Sequence, residues 1–229
     1  QYRIENVTLI DGSILYGDGT LIQKTENVKA LSGSNISNVE LSVNLKDNPN
    51  SLYNTRSDAA FVFTECENLN FHDFTITTLC DRTLNFVSCN QLSCHDIYCD
   101  TDFGSAITFN TCNDAQLYNV IVYAKRSTNY HSLEAYATNG SNSSNLMIHD
   151  IMLINGNSLQ CTADQEQNSE FINLSINNVH SKGGLLCIKT DGLKDTYLHN
   201  CSADGGSYSF SFGGASTTSI NSVVLDSCY

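Results

Sequence analysis

The chain has 229 residues, a formal net charge of −13, one Pro, no Trp and ten Cys. Hydrophobic residues make up 41% and charged residues 15%, which allows a buried core and excludes a disordered polyelectrolyte. With only 11 Lys and Arg the balance argues against nucleic acid or an anionic membrane as partner, and no apolar run approaches membrane-spanning length.

The first residues, Gln1-Tyr2-Arg3-Ile4, lack a starting Met and the charged-then-apolar layout of a secretion signal. We therefore expect one domain, 1–229, cut from a longer chain. From Leu9 onward a four-residue pattern recurs: an apolar residue, a variable one, Asp or Asn, then an apolar residue. It reads Leu9-Ile10-Asp11-Gly12, Ile36-Ser37-Asn38-Val39, Phe71-His72-Asp73-Phe74, Cys94-His95-Asp96-Ile97 and Leu117-Tyr118-Asn119-Val120. It continues through Ile148-His149-Asp150-Ile151, Ile176-Asn177-Asn178-Val179, Leu198-His199-Asn200-Cys201 and Leu225-Asp226-Ser227-Cys228, at a mean spacing of about 27 residues.

Around each motif the apolar residues alternate with period two, as in Phe61-Val62-Phe63, Leu69-Asn70-Phe71 and Phe74-Thr75-Ile76, which predicts strands and no helix. Each repeat then reads as three short strands and three bends. Asp or Asn takes the tight bend because it tolerates the left-handed backbone region. One such coil cannot bury its inward side chains alone, but stacked coils can. Nine coils at ~4.8 Å each predict a rod of about 43 Å.

Cys66, Cys89 and Cys112, spaced by 23 residues, take one equivalent inward place in three successive coils, so cysteine serves here as a small core residue with free thiols. No CxxC pair suggests zinc, and no metal or cofactor is expected. His72, His95, His149 and His199 share one motif position and are read as a bend-lining set. His131 is the histidine placed in a long insertion.

Core positions are fixed by stacking, so chemistry is expected in insertions and on outward strand positions. The insertions run from Val43 to Ala59 and from Ala124 to Ser132, with a smaller one from Ala163 to Ser169. They are expected to wall a groove floored by Val62, Thr64, Asn85, Val87, Thr108, Asn110, Glu134, Tyr136, Gln160 and Thr162. Amides, hydroxyls and a Tyr suit sugar hydroxyls and ring faces. The binding set read from this geometry is Arg82, Lys125, Arg126, Tyr130, His131, Tyr136, Asn110 and Gln160. Glu134 is the only carboxylate on the floor, and Asp100 and Asp102 lie in the adjoining wall. Cleavage of a glycosidic bond needs two carboxylates, so Glu134 is assigned as general acid and Asp102 or Asp100 as base. A competing reading is a polysaccharide lyase using Lys125, Arg126, Arg82 or His131 as base, with Ca²⁺ holding the uronate. A second is a glycan-binding or structural fibre segment without catalysis.

The repeated Asn/Asp bend and inward ladder resemble the right-handed, single-stranded parallel β-helix of the pectin-lyase-like superfamily, over almost the whole chain. Low Pro, abundant Asn and Ser and many reduced-looking Cys resemble a bacteriophage tailspike in particular. That resemblance implies a homotrimer on a virion tail, made in a reducing bacterial cytoplasm and acting on a bacterial cell-surface polysaccharide. It also implies a carboxylate pair spaced for an inverting attack by water.

Overall fold

The computed structural model describes the whole chain except residues 53–57, 81, 103, 125–130, 139, 156–157, 164–168, 184–185, 192, 205–207 and 214–220. The described residues form strands, turns and bends without a helix, and none is part of a helix long and apolar enough to cross a membrane. All strand pairings are parallel and join successive coils into two sheets, one of twelve strands and one of nine. The chain is thus a parallel β-solenoid, as the repeats predict.

Two details differ from the expectation. The solenoid makes about seven turns rather than nine. At one end, Val7–Thr8 is a two-residue strand whose coil leaves Val7, Ile10 and Ile14 exposed. Several coils also have two strands rather than three, because the second and third run together as one twelve-residue element, for example Glu67–Thr78, Asn90–Thr101 and Asn113–Ala124. They stay separate as Ser143–Ser144 and Met147–Ile154, and as Leu193–His199 and Ser202–Asp204. The backbone stays in ladder pairing on both sides of the bend, so a single left-handed residue turns the strand without ending it.

Those left-handed residues recur three times per coil in the middle of the described solenoid. In three successive coils they are Glu65, Asn68 and Asp73; Ser88, Gln91 and Asp96; and Thr111, Asp114 and Asn119. The register separates two side-chain ladders that look alike in sequence. Asn68 Nδ2 donates to Asn38 Oδ1 at 2.7 Å, Asn145 Nδ2 to Asp114 Oδ1 at 2.7 Å and Asn173 Nδ2 to Asn145 Oδ1 at 3.0 Å. Five residues further along, Asn119 Nδ2 donates to Asp96 Oδ1, Asn178 Nδ2 to Asp150 Oδ1 at 2.9 Å and Asn200 Nδ2 to Asn178 Oδ1 at 2.7 Å. Asn38 therefore stacks with Asn68, not with Asp73 as the four-residue pattern suggests.

Inside, Phe63, Phe86 and Phe109 are buried; Phe86 stacks on Phe63 with centroids 5.8 Å apart and meets Phe109 and Phe71 edge-on at 5.6 and 5.0 Å. The nine described cysteines are free, and eight are buried. Cys89 and Cys112 donate to the Phe63 and Phe86 carbonyls of the preceding coil, at 3.3 and 3.4 Å. The second motif position lines the bend. The rings of His72, His95, Tyr118 and His149 stack face to face at 5.3, 4.6 and 4.9 Å. Each of the three histidines sets Nδ1 against the carboxylate of the next residue, at 2.8, 2.6 and 2.7 Å.

Candidate functional site

The shorter strands carry the outward row that the sequence singles out. Parallel register places Val62, Asn85, Thr108, Glu134 and Gln160 side by side across five coils. Beside them run Thr64, Val87, Asn110, Tyr136 and Thr162. Glu134, Arg82, Asn110, Tyr136 and Gln160 are thereby brought to one face.

Its centre is an ion pair: Arg82 Nε lies 3.9 Å from Glu134 Oε2. The guanidinium reaches across one coil, since Arg82 pairs in register with Ser105, and the next coil carries Glu134. Arg82 is fixed at its root by a buried carboxylate. Asp47 accepts from the Leu79 amide at 2.7 Å, the Cys80 amide at 3.2 Å and the Thr83 hydroxyl at 2.9 Å, which clamps the corner that launches the strand Arg82–Val87. Burial raises the Asp47 carboxyl above the usual range.

The face is not the open groove that the sequence predicts. Asn85 and Thr108 are fully buried, and Asn110, Tyr136 and Gln160 nearly so. Arg82 and Glu134 keep 13% and 9% of their side chains exposed, so the pair stands at the mouth of a covered polar patch. Several of the polar groups serve the scaffold: Asn110 Oδ1 accepts from Thr138 at 2.9 Å, and Gln160 Nε2 donates to Thr162 at 2.5 Å. The Thr108 hydroxyl, between Asn85 and Glu134, is buried with no hydrogen-bond partner among the described residues.

Asp100 and Asp102 belong to the neighbouring corner. Asp100 lies on the long strand Asn90–Thr101, in register with Thr77 and Tyr123. The Asp102 amide donates to Thr78 O at 2.8 Å, three residues before Ser105 opens the strand next to that of Glu134. His131 begins the strand His131–Ala137, and its carbonyl accepts from Ser105 Oγ at 2.9 Å, a backbone role. Lys125, Arg126 and Tyr130 lie outside the described residues, as do Asp81 and residues 53–57, 125–130 and 164–168 of the insertions. No cluster of three His, Cys, Asp or Glu suited to a metal occurs among the described residues.

A second concavity was not foreseen. A cleft of about 520 Å³ opens on the outer side of the long sheet near its N-terminal end, lined by Tyr16, Gly17, Asp18, Ser42, Asn44 and Asp73. Its one signal in sequence is Gly17-Asp18-Gly19, a bulge-prone run inside a strand.

No family model matches the chain, and no curated protein sequence matches it. Among solved structures it is similar to the catalytic domain of a GH87 alpha-1,3-glucanase in complex with nigerose, at 10% identity and a TM-score of 0.32. Two single-residue variants of that domain, also with nigerose, give the same identity and a TM-score of 0.31. The likeness covers 96% of this chain and 62% of the glucanase domain, so the chain spans under two thirds of that domain's length. At this identity it extends to no residue of the site.

Proposed function

We propose that the chain binds and hydrolyses a polysaccharide at the Arg82–Glu134 face. The observation that carries the reading is a buried hydroxyl without a partner among the described residues, Thr108, beside a largely desolvated ion pair on the outward side of a sheet. Such groups cost stability unless a ligand uses them. A sugar hydroxyl entering at Glu134 would supply the missing partner.

The ion pair alters the roles expected from sequence. A guanidinium beside a carboxylate favours its ionised form, so Glu134 suits the base or nucleophile better than the acid. The proton donor is then sought in Asp100 or Asp102 at the adjoining corner. Arg82 orients Glu134 and balances its charge in the poorly hydrated patch. The finer reading is a homotrimeric phage tail protein, made in a reducing bacterial cytoplasm and acting outside it on a bacterial surface polysaccharide. It rests on composition and on the solenoid form.

The test is release of reducing ends from purified bacterial surface polysaccharides by the wild-type chain and by Glu134→Gln, Asp100→Asn and Asp102→Asn. We expect Glu134→Gln and one of the two Asp variants to lose at least about 100-fold in rate, the scale of a positioned acid or base. Full activity in Glu134→Gln refutes the assignment, and an unsaturated product absorbing in the ultraviolet would make the reaction an elimination. Light scattering tests the trimer.

A further inference from the structure

The N-terminal cleft arises from a mismatch in coil length. Between Leu41↔Phe71 and Leu45↔Ile76 the register slips: three residues intervene in one coil and four in the next. The longer coil takes up the difference at Asp73, whose φ is +55°. On the other side, Gly17 pairs with Val43 and Thr20 with Asn44, so Asp18 and Gly19 are extra. A short coil thus lies between two bulged ones. Ser42 and Asn44 form the floor, and the bulges turn Asp18 and Asp73 onto its rims. Gly17 permits this with φ +153°.

The cleft is held rigid. Asn44 clamps both bulges, donating to Gly19 O at 3.2 Å and accepting from the Thr75 amide at 2.8 Å. Tyr16 Oη donates to Glu40 Oε1 at 2.5 Å, and His72 bridges Glu40 and Asp73, with Nε2 at 2.9 Å and Nδ1 at 2.8 Å. The Tyr16 ring is 63% exposed although its hydroxyl is tied down, so it stands as a preorganised aromatic wall. Glu40 first, and then Asp73, raise the His72 pKa.

We propose that this cleft is a binding site for a neutral sugar residue of a glycan, separate from the Glu134 face. Its volume lies within the range of small-molecule sites. A sugar ring would stack on Tyr16 and donate hydroxyls to Asp18 and Asp73. An anionic sugar would meet like charge from three carboxylates. The site shares with the proposed function only the class of ligand, needs no catalysis and stands if Glu134 is inert.

The experiment is titration calorimetry of the full chain with neutral hexasaccharides of glucose, galactose, mannose and rhamnose, alongside a uronate hexamer and tetramethylammonium. Wild type, Tyr16→Ala, Asp18→Asn and Glu134→Gln are compared. Asp18→Asn preserves shape at an exposed bulge, so a lost signal there is not misfolding. We expect one neutral hexamer to bind, Tyr16→Ala and Asp18→Asn to weaken it about ten-fold or more, and Glu134→Gln to leave it unchanged. The proposal is overturned if no neutral hexamer binds, if both cleft variants bind like wild type, if Glu134→Gln abolishes binding, or if the uronate or the ammonium binds more tightly. Loss of reducing-end release without loss of this binding, or the reverse, separates the two sites.

Discussion

Asn178 offers a direct measurement of what the outer ladder contributes. It sits at φ +51°, donates to Asp150 Oδ1 at 2.9 Å and accepts from Asn200 Nδ2 at 2.7 Å. Asn178→Ala removes two side-chain hydrogen bonds, at about 1 kcal/mol each, and leaves a β-carbon in the left-handed region without a local partner, at about 1 kcal/mol more. The expected loss is about 3 kcal/mol. Asn178→Gly loses the same bonds but accepts the backbone angle, so about 2 kcal/mol is expected. Glycine should therefore be the less harmful substitution, the reverse of its usual place in a strand. Urea unfolding followed by circular dichroism reads both values. Alanine equal to or better than glycine would refute the left-handed bend, and losses under about 0.5 kcal/mol in both would refute the ladder. The pH dependence gives a further check. Asn178, and after it His149, hold the Asp150 carboxyl below its usual range. A depressed carboxyl stabilises the fold above that range and ceases to as the pH falls through the folded value, so the cost of Asn178→Ala should shrink in acid.

Phe86→Ala removes a fully buried ring that touches Phe63, Phe71 and Phe109, and should cost about 3–5 kcal/mol in the same assay. Tyr98→Ala, on the exposed outer side, should stay within about 1 kcal/mol. A thiol reagent should label Cys228 first among the nine described cysteines. The Cys112 thiol and then burial push Cys89 to about 12, burial alone pushes Cys161 to about 12, and the other buried thiols await unfolding. Rapid labelling of Cys89 or Cys112 in the native chain would place them outside the core. His72 is raised above its ordinary value by Glu40 and then Asp73, so its contribution is full below about pH 6.5 and fades as the pH rises through the folded value. Wild type should lose stability relative to His72→Gln across that interval, and parallel pH profiles would contradict the bridge.

The winding is legible in the sequence because it repeats: inward Phe63, Phe86 and Phe109 recur with the bend residues, and stacking converts recurrence into contact. Register is less legible. Ile36-Ser37-Asn38-Val39 and Phe71-His72-Asp73-Phe74 satisfy one pattern, yet they occupy corners five residues apart, because each coil turns twice with the same local chemistry. The outward row from Asn85 to Gln160 follows from alternation. Its burial does not, because what covers a strand is decided by segments far along the chain. The N-terminal cleft is hidden for a related reason: it is made by a coil one residue short, a property of neighbours compared rather than of any one segment.

The two polar sites share one structural cause. Where coils match in length, outward side chains are committed to their counterparts above and below, as the stacked His95, Tyr118 and His149 rings and the Asn ladders are. Slips of register fall between Gly17 and Thr20, between Leu41 and Leu45, and between His131 and Leu133. The first two frame the cleft, and the third directly precedes Glu134. An extra residue breaks the one-to-one stacking and turns side chains such as Asp18 and Asp73 out of the regular columns. In a solenoid otherwise consumed by its own ladders, the places where the count fails are where we propose that a second molecule binds.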